Sequence, residues 1–129
     1  MIRKPLRGNS IISESGNFSP DGTMIVTGSV DSLAMIWDVK MGTLIGKPLK
    51  GHSDIITSVN FSPDCNQIVT GSKDKLAIIW DAKTGIMIGE PLKGHSDCIN
   101  NVSFFPDGTR IITGSSDNLA IIWDAKSIT

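Results

Sequence analysis

GHSDIITSVNFSPDCNQIVTGSKDKLAIIWD, residues 51–81, decides the fold of this chain. IITSVNF (55–61) is β-rich, with Val59 and Phe61 on one face at the strand period of two. SPD (62–64) breaks the run, because Pro63 and Asp64 supply turn chemistry. QIVTGS (67–72) reads as the second strand, KDK (73–75) as a tight polar turn and LAIIWD (76–81) as the third strand. AKTG (82–85) turns again, and IMIGEPL (86–92) is a more irregular outer strand. Pro91 fits there only at an edge or a strand end, where no ladder donor is required. Helical periodicity is absent. Together with 86–92, the stretch reads as a unit of four short antiparallel strands.

The unit is written three times. Trp37, Trp80 and Trp123 are 43 residues apart, as are Gly8, Gly51 and Gly94. The copies run over about 4–46, 47–89 and 90–129 and align without gaps, so 1–129 reads as one array. The second and third agree at 25 of 40 positions and the first and second at 27 of 43, so the repeat is the fold and not an embellishment of it. A unit of this size cannot bury both of its faces alone and must stack on its neighbours.

Composition sets outer bounds. Hydrophobic residues make up 40% and charged residues 19% of the chain, which suits a globular fold and not disorder. The longest apolar runs are of the type LAMIW (33–37), far below the ~18 residues of a membrane span. MIRKPLRGNS at the N-terminus has no apolar h-region and reads as free of a secretion signal. Cys65 and Cys98 stand at unrelated places in the repeat and suggest no disulfide framework, which favours a reducing, intracellular setting, cytoplasmic or nuclear. A net charge of −1 with interspersed signs speaks against a nucleic-acid footprint.

The period, together with Gly51-His52, Phe61-Ser62-Pro63-Asp64, Thr70-Gly71-Ser72, Asp74 and Trp80-Asp81 and their equivalents in the third copy, resembles the WD-repeat family of β-propellers over essentially the whole chain. The resemblance implies an all-β fold of four-stranded propeller blades, three in this chain. It also implies that His52, Thr70, Asp74 and Trp80, with His95, Thr113, Asp117 and Trp123, form a structural hydrogen-bond network inside each blade. Thr27, Asp31 and Trp37 are the corresponding residues of the first copy. The chemistry is suited to it: an indole N–H donates, a hydroxyl does both, an imidazole does both and a carboxylate accepts. A hydroxyl–imidazole–carboxylate set also permits a catalytic reading. Repetition favours the structural role, since an enzyme needs one site while a fold needs its pin in every unit. No cofactor or metal site is expected. Cys98 follows His95 by three residues, but no second pair completes four ligands. Cys98 aligns with Ile12 and Ile55 and reads as a small hydrophobe, and Cys65, at the turn place of Gly22 and Gly108, as an exposed free thiol.

The first copy departs from the pattern. Asn9 stands where the others have His, Ser13 replaces Ile56 and Ile99, and Gly16 replaces Val59 and Val102. Such losses cost about 1–4 kcal/mol each when buried, so this blade is expected to be the least stable.

The function expected is a non-catalytic protein–protein interaction scaffold with a protein or peptide partner. By family resemblance the partner face is carried by Ile55, Thr57 and Lys73 in the second copy, Cys98, Asn100 and Ser116 in the third, and Ile12, Glu14 and Val30 in the first. The alternative is a structural piece of a longer WD-repeat array. A hydrolase-type enzyme is a remote third reading; a titratable group with no counterpart in the other copies would support it, and Glu14 is the candidate. Three blades are too few to close, since propellers have about four to eight. The strand expected at IRKPL (2–6) lacks inner partners, while the third copy stops at Thr129 without an outer strand. The chain is therefore expected to form a homo-oligomeric ring, foremost a dimer of six blades, or to belong to a longer propeller.

Overall fold

The computed structural model describes residues 13–125, which form three antiparallel sheets, one per repeat. The first contains β1 (Ser13–Phe18), β2 (Met24–Ser29), β3 (Leu33–Asp38) and β4 (Thr43–Lys50) in that spatial order. The second contains β5 (Ile56–Phe61), β6 (Gln67–Ser72), β7 (Ala77–Asp81) and β8 (Met87–Leu92), also in sequence order. The third has β9 (Ile99–Phe104), β10 (Arg110–Ser115) and β11 (Ala120–Asp124) among the described residues. The expected strand at 2–6 lies outside them. None of these elements is a helix, so among the described residues no helix is long and apolar enough to cross a membrane.

Each sheet is a meander whose turns follow from its residues. Ser62 donates its hydroxyl to Asp64 at 2.6 Å, and the Asn66 N–H donates to the same carboxylate at 3.0 Å. Cys65 at the apex has φ 66°, in the left-handed region occupied by Gly22 (φ 75°) and Gly108 (φ 73°) in the other blades. Its side chain is half-buried and not exposed as the sequence suggested, because it lies against the first blade's turn, where the thiol hydrogen-bonds Asp21. Pro91 lies in β8, the edge strand, where a missing N–H breaks no ladder.

The blades stack through their first strands: β1 packs along β5, and β5 along β9. The first strand of each blade is thus the inner one. The two seams are made of equivalent residues. Val26, Ala34, Ile36 and Leu49 of the first blade share one core with Ile56, Val59, Phe61 and Trp80 of the second. Val69, Ala77, Ile79 and Leu92 of the second share another with Ile99, Val102 and Phe104 of the third.

A bulge in every inner strand makes this possible. The β5–β6 register jumps from Ile56↔Ser72 to Ser58↔Gly71, and the same shift occurs in β1 and β9. Strict alternation would turn Ile56 away from Val59. The extra residue brings both to the same seam, where both are buried.

Candidate functional site

The residues expected to form the network meet in the second and third blades. Trp80 Nε1 donates to Thr70 Oγ1 at 2.9 Å, His52 Nε2 lies 2.7 Å from the same oxygen, and His52 Nδ1 lies 2.8 Å from Asp74 Oδ2. The third blade repeats it: Trp123 to Thr113 at 2.9 Å, His95 to Thr113 at 2.7 Å and His95 to Asp117 at 2.9 Å. One proton arrangement satisfies every donor. The indole donates to the hydroxyl oxygen, the hydroxyl donates to Nε2, and Nδ1–H donates to the carboxylate. The carboxylate also accepts the Ser53 N–H at 3.0 Å and the Leu76 N–H at 2.9 Å, which ties the Gly-His loop to the β6–β7 turn.

The same contacts set the acidities. Burial alone pushes the Asp74 carboxyl up, but His52 and the two N–H donors outweigh it and hold it below the ordinary carboxylate value. At Asp117 the raising effect of burial is overcome by the Ser96 N–H, His95 and the Leu119 N–H, and the carboxyl sits at about 2.

In the first blade the Trp37 to Thr27 bond is kept at 3.0 Å. Asp31 is bonded instead by Ser29 Oγ, with the Leu33 N–H at 3.3 Å, and Asn9 lies outside the described residues.

Thr70 and Thr113 are 0% exposed, and each oxygen is already shared by an indole and an imidazole. Among the described residues no group of three or more His, Cys, Asp or Glu has metal-site geometry, and both ring nitrogens of His95 are committed to Thr113 and Asp117.

The residues expected on the partner face gather at one end of their blades. The Lys73 N–H donates to the Ile55 carbonyl at 2.9 Å, and the Ser116 N–H to the Cys98 carbonyl at 3.0 Å. Asn100 Nδ2 donates to Ser116 Oγ at 2.9 Å. Lys73, Asn100 and Ser116 are exposed, while Val30, Ile55, Thr57 and Cys98 are half-buried. Thr57 is engaged within the fold: its hydroxyl donates to the Ile99 carbonyl of the next blade and lies 3.2 Å from the Gly71 carbonyl. Thr57 and Asn100 sit where the register shifts, as the Glu14 backbone does in β1. Ile12 and the side chain of Glu14 lie outside the described residues.

Sequence reasoning missed a polar rung across the seams. Asn17 Nδ2 donates to Asn60 Oδ1 at 3.3 Å, and Asn60 Nδ2 to the Val102 carbonyl at 3.4 Å. The Val102 N–H donates to Ser58 Oγ at 3.2 Å. The signal was present, since Asn17 and Asn60 are one repeat apart, but an Asn in a strand reads as a solvent-facing residue until the next blade is placed.

Blades of four strands, three described in the third, stacked by their inner strands and pinned in the second and third by an indole–hydroxyl–imidazole–carboxylate relay, define a β-propeller segment. The chain belongs to the WD40-repeat family: the family described as "WD domain, G-beta repeat" matches it at residues 5–38, 42–81 and 87–124. Among solved structures it is similar to "Structure of U3-55K", at 22% identity and TM-score 0.89, covering 96% of this chain and 39% of that one. It is also similar to "Crystal structure of RRP9 WD40 repeats", at 23% identity and TM-score 0.89, covering 96% of this chain and 38% of that one. At these identities the likeness is one of fold, and the chain spans well under half of either. No curated protein matches the sequence.

Proposed function

We propose that the chain is a non-catalytic protein–protein interaction module that presents the loop end of its blades to a protein or peptide partner. One observation carries this reading. At that end the chemistry common to the second and third blades is buried and internally satisfied, while the exposed residues differ from blade to blade: Lys73 against Ser116, with Asn100 beside the latter. A rigid frame with variable exposed loop residues suits recognition. The blade limits at about 4–46, 47–89 and 90–129 belong to this reading, as does work within a longer or oligomeric propeller, supported by the 39% span of the structure matched above. Two free, half-buried cysteines support an intracellular setting.

The test is affinity capture with the wild-type chain, a Lys73→Glu/Asn100→Ala/Ser116→Arg variant, and a Lys83→Glu control at the opposite end of β7. The expected result is a captured protein lost with the triple variant and kept with the control, at unchanged melting temperature. Equal capture by all three chains would end the proposal for this face.

A further inference from the structure

The third blade carries an open copy of a surface that is filled twice elsewhere. In the first blade Val26 and Ile36 are 0% and 2% exposed, and in the second Val69 and Ile79 are 0% and 2%, because each pair is covered by the inner strand of the next blade. The equivalents in the third, Ile112 and Ile122, are 37% and 56% exposed. Beside Ile112 lies a largely apolar groove lined by Asn101, Val102, Ser103, Ile112, Gly114 and Ala120.

The filled seams show what such a groove takes. A methyl placed on Gly71 would stand 2.7 Å from Cγ2 of Ile99 and 2.7 Å from Cγ1 of Val102, so the glycine is the hollow that receives those two side chains. Gly28 meets Ile56 in the same way. At Gly114 the same methyl would meet nothing nearer than Asn101 Cβ at 4.0 Å. Apart from Asn17 Nδ2 to Asn60 Oδ1, the polar contacts described across the seams involve a backbone group, as Asn60 makes to the Val102 carbonyl, and depend little on the incoming sequence. The aliphatic pair is what discriminates.

We propose that this face receives a blade whose inner strand carries β-branched aliphatic residues at the places of Ile56 and Val59, and that it rejects the chain's own first blade. That blade offers Ser13 and Gly16 at those places, which would leave the Gly114 hollow empty and enclose a hydroxyl in it. Ring closure by two identical chains is therefore disfavoured against capture of a blade of the Ile-x-x-Val-x-Phe type. The basis is continuity with the two seams already formed within the chain.

The test extends the full chain after Thr129 by a second copy of residues 87–129, which keeps the 43-residue frame. The appended copy carries Ser116→Thr, which gives its peptide a mass distinct from the original's, and its inner strand is left unchanged or has Ile99→Ser and Val102→Gly. Hydroxyl-radical labelling of Ile112 and Ile122 is read by mass spectrometry, alongside sedimentation velocity of the unextended chain. The unchanged extension is expected to lower labelling of Ile122 to the level of Ile79, and the Ser/Gly extension to leave it labelled. Failure of the Ser/Gly blade to fold on this face counts as failure to dock, since a blade does not bury its faces alone. Labelling that persists with the unchanged extension, or that is lost equally with both, overturns the proposal. So does a discrete dimer of the unextended chain in which Ile122 is protected.

Discussion

Trp80 and Trp123 make the same 2.9 Å bond to a buried threonine, yet they should not be worth the same. Trp80 is 2% exposed and enclosed by the core it shares with the first blade, whereas Trp123 is half-buried on a strand with one open face. Trp80→Ala should cost about 3–5 kcal/mol, through the cavity and the orphaned Thr70 network. Trp123→Ala should cost about half of that, because less area leaves contact and the cavity is open to water. Urea unfolding of the two variants checks this, and equal losses would show that the hydrogen bond, and not the burial, sets the value. The relay residues were legible through the resemblance to the WD-repeat family, with which their recurrence at fixed spacing and their donor and acceptor chemistry agree. The left-handed conformation at Cys65 was legible too, from the glycines at its place in the other copies, but its partial burial was not, since that depends on what lies across the turn.

At the level of strands, the element order and the turns could be read from residues, but three strands of the second blade begin one residue later than expected: β5 at Ile56, β7 at Ala77 and β8 at Met87. The bulge could not be read. Period two in IITSVNF pairs Val59 with Phe61 and assigns Ile56 to the other face, and only the pairing partner in β6 shows the extra residue. The two middle-strand glycines give the seam a clean test. Gly71→Ala should destabilise the chain by about 1–3 kcal/mol, since the methyl meets branched core side chains that have nowhere to move. Gly114→Ala, on an open face, should stay within about 0.5 kcal/mol. Thermal or urea melts that rank the two together would remove the glycine hollow from the account of the seam.

For the molecule as a whole, acid is the condition that acts on every blade at once. Ser19 and Thr23 hold Asp21 at about 2, Asp117 sits at about 2, and Asp64, Asp74, Asp81 and Asp107 are all held below the ordinary value by hydrogen bonds at turns or loops. Each folded-state acidity is lower than the unfolded one, so the unfolded chain takes up protons first on acidification. The stability these groups supply is complete above the ordinary carboxylate value of about 3.9 and is lost as pH falls through the folded values. Melting temperature should be level from about pH 7 to 5 and drop between about pH 4 and 2. A decline already complete by pH 5 would point to other groups. The seam has a last consequence, at the level of the gene. Every filled seam joins a glycine of one unit to an isoleucine of the next, always 28 residues further along, so gaining or losing one whole 43-residue unit by recombination re-creates the same joint from different copies. Copy number can then drift without any joint being redesigned.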